Sequence, residues 1–454
     1  MSPPTSTSDG SAADAHGPFA RAGGSAAVEL PRTFGRYVLF DLIGKGGMAE
    51  IYLAKVRTTE VGGSRLVVVK QILPELSQNA KFADALVQEA KLAARLSHAN
   101  VVQVFDLGRA PMARRLGPSS AESEPAAQEA QPGDRLFIAM EYVEGLDLNE
   151  LLRRCARAKV PLPVEFALLA VMETLRGLDY AHRRTDDAGK SLGIVPRDVS
   201  PSNVLVSVEG EVKLCDFGIA RANDAARPEK DAQADAIQGK AGYMSPEHAR
   251  GEPLDARADV FAAGVILWEL LCGRRLYRAD KESGESLLAV ARRAEIPALS
   301  ERGLPYEEDA HAIVAKALAV DREARFESAA AMLAALQTYV AKARLVASPI
   351  RFGEWLTTNF GAALVDARRA RERAVKALEA GPVAVVTPIA PPSEAKGKPS
   401  VDAPVAPVAT PRASEPPTSI AAPVATKLGT PMLPILIVAI LGLALLAYML
   451  LLKR

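Results

Sequence analysis

The stretch that most constrains this chain runs from Pro196 to Gly218 and reads PRDVSPSNVLVSVEGEVKLCDFG. Val204, Leu205 and Val206 lead into a turn at Gly210, and Val212 to Leu214 lead back, the pattern of a short hairpin. A hairpin brings its two ends together. Asp198 and Asn203 stand before it and Asp216 after it, so the three should meet at one edge. Two carboxylates and an amide oxygen at one edge make a hard-oxygen site suited to Mg²⁺ bound together with substrate phosphates.

The spacing Arg-Asp-x-x-x-x-Asn, then a hairpin, then Asp-Phe-Gly resembles the catalytic loop and metal-binding turn of eukaryotic-like (Hanks-type) bacterial serine/threonine protein kinases. The resemblance implies an α+β fold of two lobes. The smaller is an antiparallel β-sheet with one helix, and the larger is mainly helical. It also implies ATP and Mg²⁺ as cofactors, protein substrates, and transfer of the ATP γ-phosphate to Ser/Thr hydroxyls.

The rest of the chain tests that reading in order. Residues 1–33 are rich in Ser, Ala, Gly and Pro and read as a disordered lead-in, not a secretory signal. Tyr37 to Ile43 reads as a strand, followed by Gly44-Lys45-Gly46-Gly47-Met48-Ala49-Glu50 and a second strand, Ile51 to Ala54. Glycines between two strands let backbone N–H groups approach phosphate oxygens. A dinucleotide fingerprint would need a helix after them. Ile43 to Ile51 is therefore the expected phosphate-covering loop, with Ala49 in place of the family's third glycine and a looser cover expected.

The strand Leu66–Lys70 ends in the lysine that the resemblance assigns to the α- and β-phosphates. Phe82, Ala85, Leu86, Ala90, Leu92 and Ala93 recur at helical spacing, and Glu89 on that helix is the expected partner of Lys70. Asn100–Leu107 and Leu136–Val143 read as strands, separated by an Ala-, Pro-, Glu- and Ser-rich insertion at 109–134. Met140 to Gly145 resembles the hinge between the lobes. There the backbone of Glu141 and Val143 would bind adenine. Asp147 either contacts the ribose or caps the next helix.

Helical patterns follow over Leu148–Arg184, broken at Pro161 and Pro163, with a core helix at Phe166–His182. A polar loop at Arg183–Ile194 leads to the catalytic stretch. After it, Asp216 to Glu247 resembles an activation segment, and Leu254–Gly273 reads as an apolar helix. By resemblance Asp259 braces the catalytic loop from below and Glu247 pairs with Arg325, since a buried carboxylate needs a partner. The helix Glu327–Ala341 closes a kinase domain expected over 34–341.

Residues 342–380 form a helical extension, packed on the lobe or standing as a stalk. Residues 381–431 read as a Pro/Ala-rich linker. Residues 432–452 lack charge and match the hydrocarbon thickness of a bilayer, at ~20 residues and ~1.5 Å each. They are expected to anchor the chain as a single-pass tail in the cytoplasmic membrane, with the kinase domain facing the cytoplasm.

Composition excludes other classes. Lys plus Arg total 55 against 54 for Asp plus Glu, so no nucleic-acid partner is implied. Cys155, Cys215 and Cys272 lack metal-ligand spacing and fit a reducing compartment.

In the resemblance Asp198 orients the substrate hydroxyl and accepts its proton, Asn203 and Asp216 hold Mg²⁺, and Lys70, set by Glu89, fixes ATP. Three departures stand against it. Pro196 replaces the histidine usual before Arg-Asp, which removes a brace on the metal-binding turn. Ser200 replaces the lysine usual two positions after the catalytic aspartate, while Lys240 stands where a threonine is usual. Lys240 either restores that charge or is a solvated lysine. Finally, no Ser or Thr lies between Ile219 and Met244. Arg197 is therefore expected to pair with Asp224, Glu229, Asp231 or Asp235 without phosphorylation of the segment. The alternative function is a pseudokinase scaffold that binds nucleotide or partners without efficient catalysis, the reading that Pro196 and Ala49 favour.

Overall fold

The computed structural model describes residues 30–56, 65–111, 114–115, 134–217, 241–277, 286–299, 301 and 303–379. The small lobe contains β1 (Arg32–Phe34), β2 (Tyr37–Lys45), β3 (Ala49–Val56), β4 (Leu66–Ile72), β5 (Val104–Ala110), β6 (Arg114–Arg115) and β7 (Arg135–Glu141). These pair antiparallel in the order β5-β7-β4-β3-β2-β1-β6. Successive side chains of a strand point to opposite faces, and β4 uses both. Val68 joins an inner cluster with Phe82, Leu86 and Ile138, while Val67 and Val69 join an outer one with Phe34, Tyr52 and Phe137. That double burial is why β4 reads as an unbroken apolar run. The inner face is covered by α1 (Pro74–Ser77) and α2 (Ala80–Ala94), and Asn79 caps α2 by accepting from the Phe82 amide.

The large lobe begins with β8 (Gly145–Asp147), which pairs with β9 (Val204–Ser207), itself paired with β10 (Val212–Leu214). Its helices are α3 (Leu148–Ala158), α4 (Val164–His182), α5 (Pro246–Arg250), α6 (Arg257–Cys272), α7 (Leu287–Arg293), α8 (Glu307–Ala317), α9 (Ala329–Ala343) and α10 (Pro349–Glu379). A helix apolar all round belongs inside, and α6 is the central one, with Val260, Phe261, Val265, Ile266 and Trp268 buried. Its Gly264 lets α8 close in, since a Cβ there would lie 2.9 Å from that of Ala317. This is the two-lobed protein kinase fold.

Several boundaries differ from expectation for local reasons. Pairing with β2 starts at Arg32, ahead of Phe34. The expected insertion begins inside β5, and Arg114–Arg115 adds a strand beside β1. The strand expected from Asn100 starts only at Val104. Buried Asn100 instead docks on the large-lobe hairpin, donating from Nδ2 to Val212 O and accepting from Leu214 N, both at 2.9 Å. Asp255 accepts from the Arg257 amide at 2.8 Å, a local turn that delays α6 to Arg257. The extension helix is packed on the lobe over its first half, where Phe352, Leu356 and Phe360 are buried.

The lead-in before Leu30, the body of the insertion, Lys240 and the segment 218–240, the linker and the 432–452 span lie outside the described residues. Among the described residues no helix is long and apolar enough to cross a membrane.

Candidate functional site

The hairpin delivers its two ends to one place. Val204 pairs with Leu214 and Val206 with Val212, so Asn203 and Cys215 face each other, and the Cys215 amide donates to Asn203 O at 2.9 Å. Asn203 Nδ2 donates to Asp198 O at 2.7 Å. With its nitrogen committed, the oxygen end of that amide is left for a cation. One step past Cys215, Asp216 Oδ1 accepts from Lys70 Nζ at 2.9 Å, closing the cleft between the lobes.

Two non-glycine residues here adopt the left-handed backbone region, Arg197 at φ 63° and Asp216 at φ 61°. Such a conformation costs about 1–3 kcal/mol and persists where neighbours enforce it. At Asp216 the Lys70 ion pair does so, between side chains that are 8% and 14% exposed. At Arg197 the backbone amide donates to Asp259 Oδ1 at 2.9 Å. Asp259 is buried on α6, and its other oxygen lies 2.9 Å from His182 Nε2. The expected brace is therefore in place, with His182 as a second member.

From above, the β2–β3 turn supplies the glycines. Gly44 pairs with Ile51 and Lys45 with Glu50, and the Gly46 amide donates to Ala49 O at 2.9 Å. Ala49 is already part of β3, and its methyl joins the inner core with Ile72 and Phe82. Lys70 sits opposite Ile51 on one side and Ile138 on the other. Glu89 is buried on the face of α2 that carries Phe82 and Leu86. Leu205 and Cys215 of the hairpin belong to the same apolar cluster as Ile51, Val68 and Met140, with Ile43 and Val143 at its edge. The cleft thus has an apolar wall between its glycine turn and its carboxylates.

The hinge is held from both sides. The Glu141 amide donates to Gln103 O at 2.8 Å, and Lys213 Nζ pairs with Glu141 Oε1 at 2.7 Å. Asp147 accepts from the Glu150 amide at 2.9 Å and so caps α3. Burial pushes its carboxyl up to about 6, against the Glu150 amide that donates to it.

Below the cleft Arg325 and Glu247 form the expected pair, at 2.6 and 2.7 Å. Beside it the Tyr243 hydroxyl donates to Glu269 Oε2 at 2.7 Å, and Arg275 donates to the same oxygen at 3.1 Å. Ser200 is buried with its hydroxyl 3.0 Å from that of Ser202.

The structure therefore brings Lys70, Asp198, Asn203 and Asp216 together, and lays the glycine turn and hinge along the same cleft. The carboxylates proposed to meet Arg197 lie outside the described residues. Among the described residues no three His, Cys, Asp or Glu side chains gather as a metal site. Asn203 and Asp216 would hold a Mg²⁺ only jointly with oxygens of a phosphorylated ligand, as that ion commonly requires. Sequence reasoning missed His182, Glu269 and Arg275. A lone histidine at the end of an apolar helix, 77 residues from its carboxylate, leaves no periodic signal.

A family model described as protein kinase domain matches residues 37–337. The tyrosine-protein kinase MasK of Myxococcus xanthus is 35% identical over 334 residues, covering 74% of this chain and 47% of that one. A probable serine/threonine-protein kinase PknB of Bifidobacterium longum is 35% identical over 307 residues, covering 67% of this chain and 40% of that one. The chain thus spans less than half the length of these curated relatives. Among solved structures, the kinase domain of Mycobacterium tuberculosis PknI is similar at 25% identity and a TM-score of 0.47, covering 69% of this chain and 99% of that one.

Proposed function

The chain is a member of the protein kinase family, and on that premise we propose that it transfers the γ-phosphate of ATP to serine or threonine hydroxyls of proteins. The observation that carries the proposal is the Lys70–Asp216 contact at 2.9 Å, made across the cleft while Asn203 ties Asp216's neighbour to the Asp198 backbone. Phosphoryl transfer asks a protein mainly for positioning and charge neutralisation. In this reading Lys70, oriented by Glu89, fixes the α- and β-phosphates, and the turn from Ile43 to Ile51 covers them. The backbone of Glu141 and Val143 takes adenine. Asp198 orients the acceptor hydroxyl and takes its proton as the oxygen attacks phosphorus and the bond to ADP breaks. Mg²⁺, when held by Asn203 and Asp216, neutralises phosphate charge. Glu247, Arg325 and Asp259 carry the frame beneath. The carboxylates expected to pair with Arg197, and Lys240 with its two expected roles of phosphate-side charge or solvated lysine, lie outside the described residues.

The uncharged run at 432–452 supports a tether to the cytoplasmic membrane, with this fold on the cytoplasmic side. The names of the relatives point to different acceptor hydroxyls, tyrosine for MasK and serine or threonine for PknB. The test is transfer from γ-labelled ATP to Ser, Thr and Tyr peptides, run with Asp198→Asn beside the parent chain. Ser/Thr labelling that falls by about 10²–10⁴-fold in the variant is expected of a lost general base. Nucleotide binding without transfer would replace this reading with the pseudokinase one, and labelling confined to tyrosine would overturn the acceptor assignment.

A further inference from the structure

Along α10, Phe352, Leu356, Phe360 and Leu364 follow one another by four residues, a stripe that winds slowly round the helix, and Arg368 and Arg371 lie further along that winding path. The apolar half is an anchor. The Phe352 ring stacks on Phe166 of α4 with centroids 4.9 Å apart, and Trp355 lies 5.8 Å from Phe166. The first turn of α10 also rests on the tip of the catalytic hairpin, backbone against backbone. A Cβ at Gly210 would lie 1.9 Å from Pro349 O, and one at Gly353 would lie 2.7 Å from the carbonyl carbon of Glu209. Only glycine permits that approach on both sides.

The basic continuation of the helix reaches the connection between the lobes, about 28 Å further on at ~1.5 Å per residue. Arg368 Nε donates to Glu144 Oε1 at 2.9 Å, and Arg371 Nη2 donates to the same oxygen at 2.6 Å. The Arg371 guanidinium also lies 5.5 Å from the centre of the Tyr142 ring. Tyr142 and Glu144 flank Val143. Behind them the Val208 amide donates to Glu144 O at 2.8 Å, so one residue is held by α10 through its side chain and by the catalytic hairpin through its backbone.

We propose that α10 is a splint for the hinge. Seated on α4 and the hairpin, it uses Arg368 and Arg371 to hold Glu144 and Tyr142, and so pre-orders the Glu141–Val143 backbone for a nucleotide base. The inference rests on the nucleotide reading of the cleft given above. Glu144, Arg368 and Arg371 are positioning residues, because they act through the segment they hold. An exposed ion pair alone contributes little. Two donors on one oxygen, with a cation over the adjoining ring, instead remove freedom that binding would otherwise have to remove, and a pre-ordered segment binds more tightly.

The test measures the Kd for Mg·ATP, the Tm, and hydrogen exchange of residues 141–145 in the full-length chain. It compares Glu144→Gln, the double variant Arg368→Gln/Arg371→Gln, all three changes together, and Glu354→Gln on an exposed position of the same helix. The splint requires Kd to rise about threefold to tenfold in the first two, no further in the triple variant, and not at all for Glu354→Gln. Exchange at 141–145 should quicken in step with the loss of affinity. A parent chain that binds Mg·ATP, with the Glu144 and Arg368/Arg371 variants matching its Kd, overturns the splint and leaves the kinase reading standing. Lowered Tm at unchanged Kd does the same and reduces the clamp to a structural contact. A parent chain with no affinity for Mg·ATP overturns both.

Discussion

Glu247→Gln strands a buried cation, and the cost can be worked from its surroundings. Arg325 and Glu247 meet through two hydrogen bonds of 2.6 and 2.7 Å, with side chains 0% and 5% exposed. The remaining guanidinium N–H groups donate to the carbonyls of Ala319, Arg257 and Val320, and the guanidinium lies 4.8 Å over the Phe261 ring. The arginine therefore cannot turn to water when its counter-ion is removed. Breaking such a pair from one side costs about 3–5 kcal/mol. An unfolding entropy near 2.1 cal/mol/K per residue over roughly 300 residues is ~0.6 kcal/mol/K, so Tm should fall by about 5–8 °C. Replacing both partners with methionine should cost less than Glu247→Gln alone, because no charge is left buried. Burial pushes the Glu247 carboxyl up, but the hydrogen bonds and charge of Arg325, together with bonds from the Glu247 backbone and Ser245, outweigh it and hold it below its ordinary 4.5. Its folded pKa is thus depressed, so its contribution is present above the unfolded value and lost as pH falls through the folded one. The Tm gap between parent and variant should therefore narrow in acid and close as pH falls through the depressed folded value. Scanning calorimetry across pH checks both points. A gap under about 2 °C at neutral pH, or a double variant less stable than the single one, would refute the reasoning.

Two further perturbations separate catalysis from framework. Asp259→Asn keeps one acceptor but turns an N–H toward either the Arg197 amide or His182. A hydrogen bond to a charged group is worth about 1.5–3 kcal/mol, so turnover should fall about tenfold to a hundredfold. Mg·ATP affinity should stay within about twofold, since the brace does not touch nucleotide. Unchanged kcat would deny Asp259 its role in positioning the loop. Asp147→Asn retains a cap oxygen and removes a buried charge. The carboxyl is raised to about 6 by burial, above its ordinary 3.8, so the parent loses stability as pH rises through that window. The variant should match the parent near pH 4, exceed it in Tm at pH 8, and keep its ATP affinity. A large loss of affinity would return Asp147 to the ribose.

What could be read from the sequence depended on how far apart the cooperating residues lie. Asp198, Asn203 and Asp216 fall within one stretch, and alternation around Gly210 was enough to close it. Asp259 and Arg325 could be assigned only through resemblance, because one packs beneath the loop and the other answers a carboxylate 78 residues away. His182 meets a carboxylate 77 residues away and Glu269 a hydroxyl 26 residues away, with no motif around either, and neither was found. Ala49 was expected to loosen the phosphate cover. Strand pairing carries its methyl into the core, a placement the sequence did not signal.

The helix α10 shows a different limit. Its helical character is legible in the sequence, which leaves open whether it packs on the lobe or stands as a stalk. Whether it packed or stood free depended on Gly210 and Gly353, two glycines far apart in sequence whose significance appears only when their backbones touch. The stripe that begins as Phe352, Leu356 and Phe360 does not end where its side chains become charged. Winding slowly round the helix, it leads on to Arg368 and Arg371, where the surface beneath changes from the rings of the large lobe to the carboxylate of Glu144. A helix face is defined by its spacing, and the residue types along it follow the surface they meet. An arginine further along a helix anchored by buried phenylalanines is then grounds to look for an anion at the corresponding distance, and the hinge supplies one.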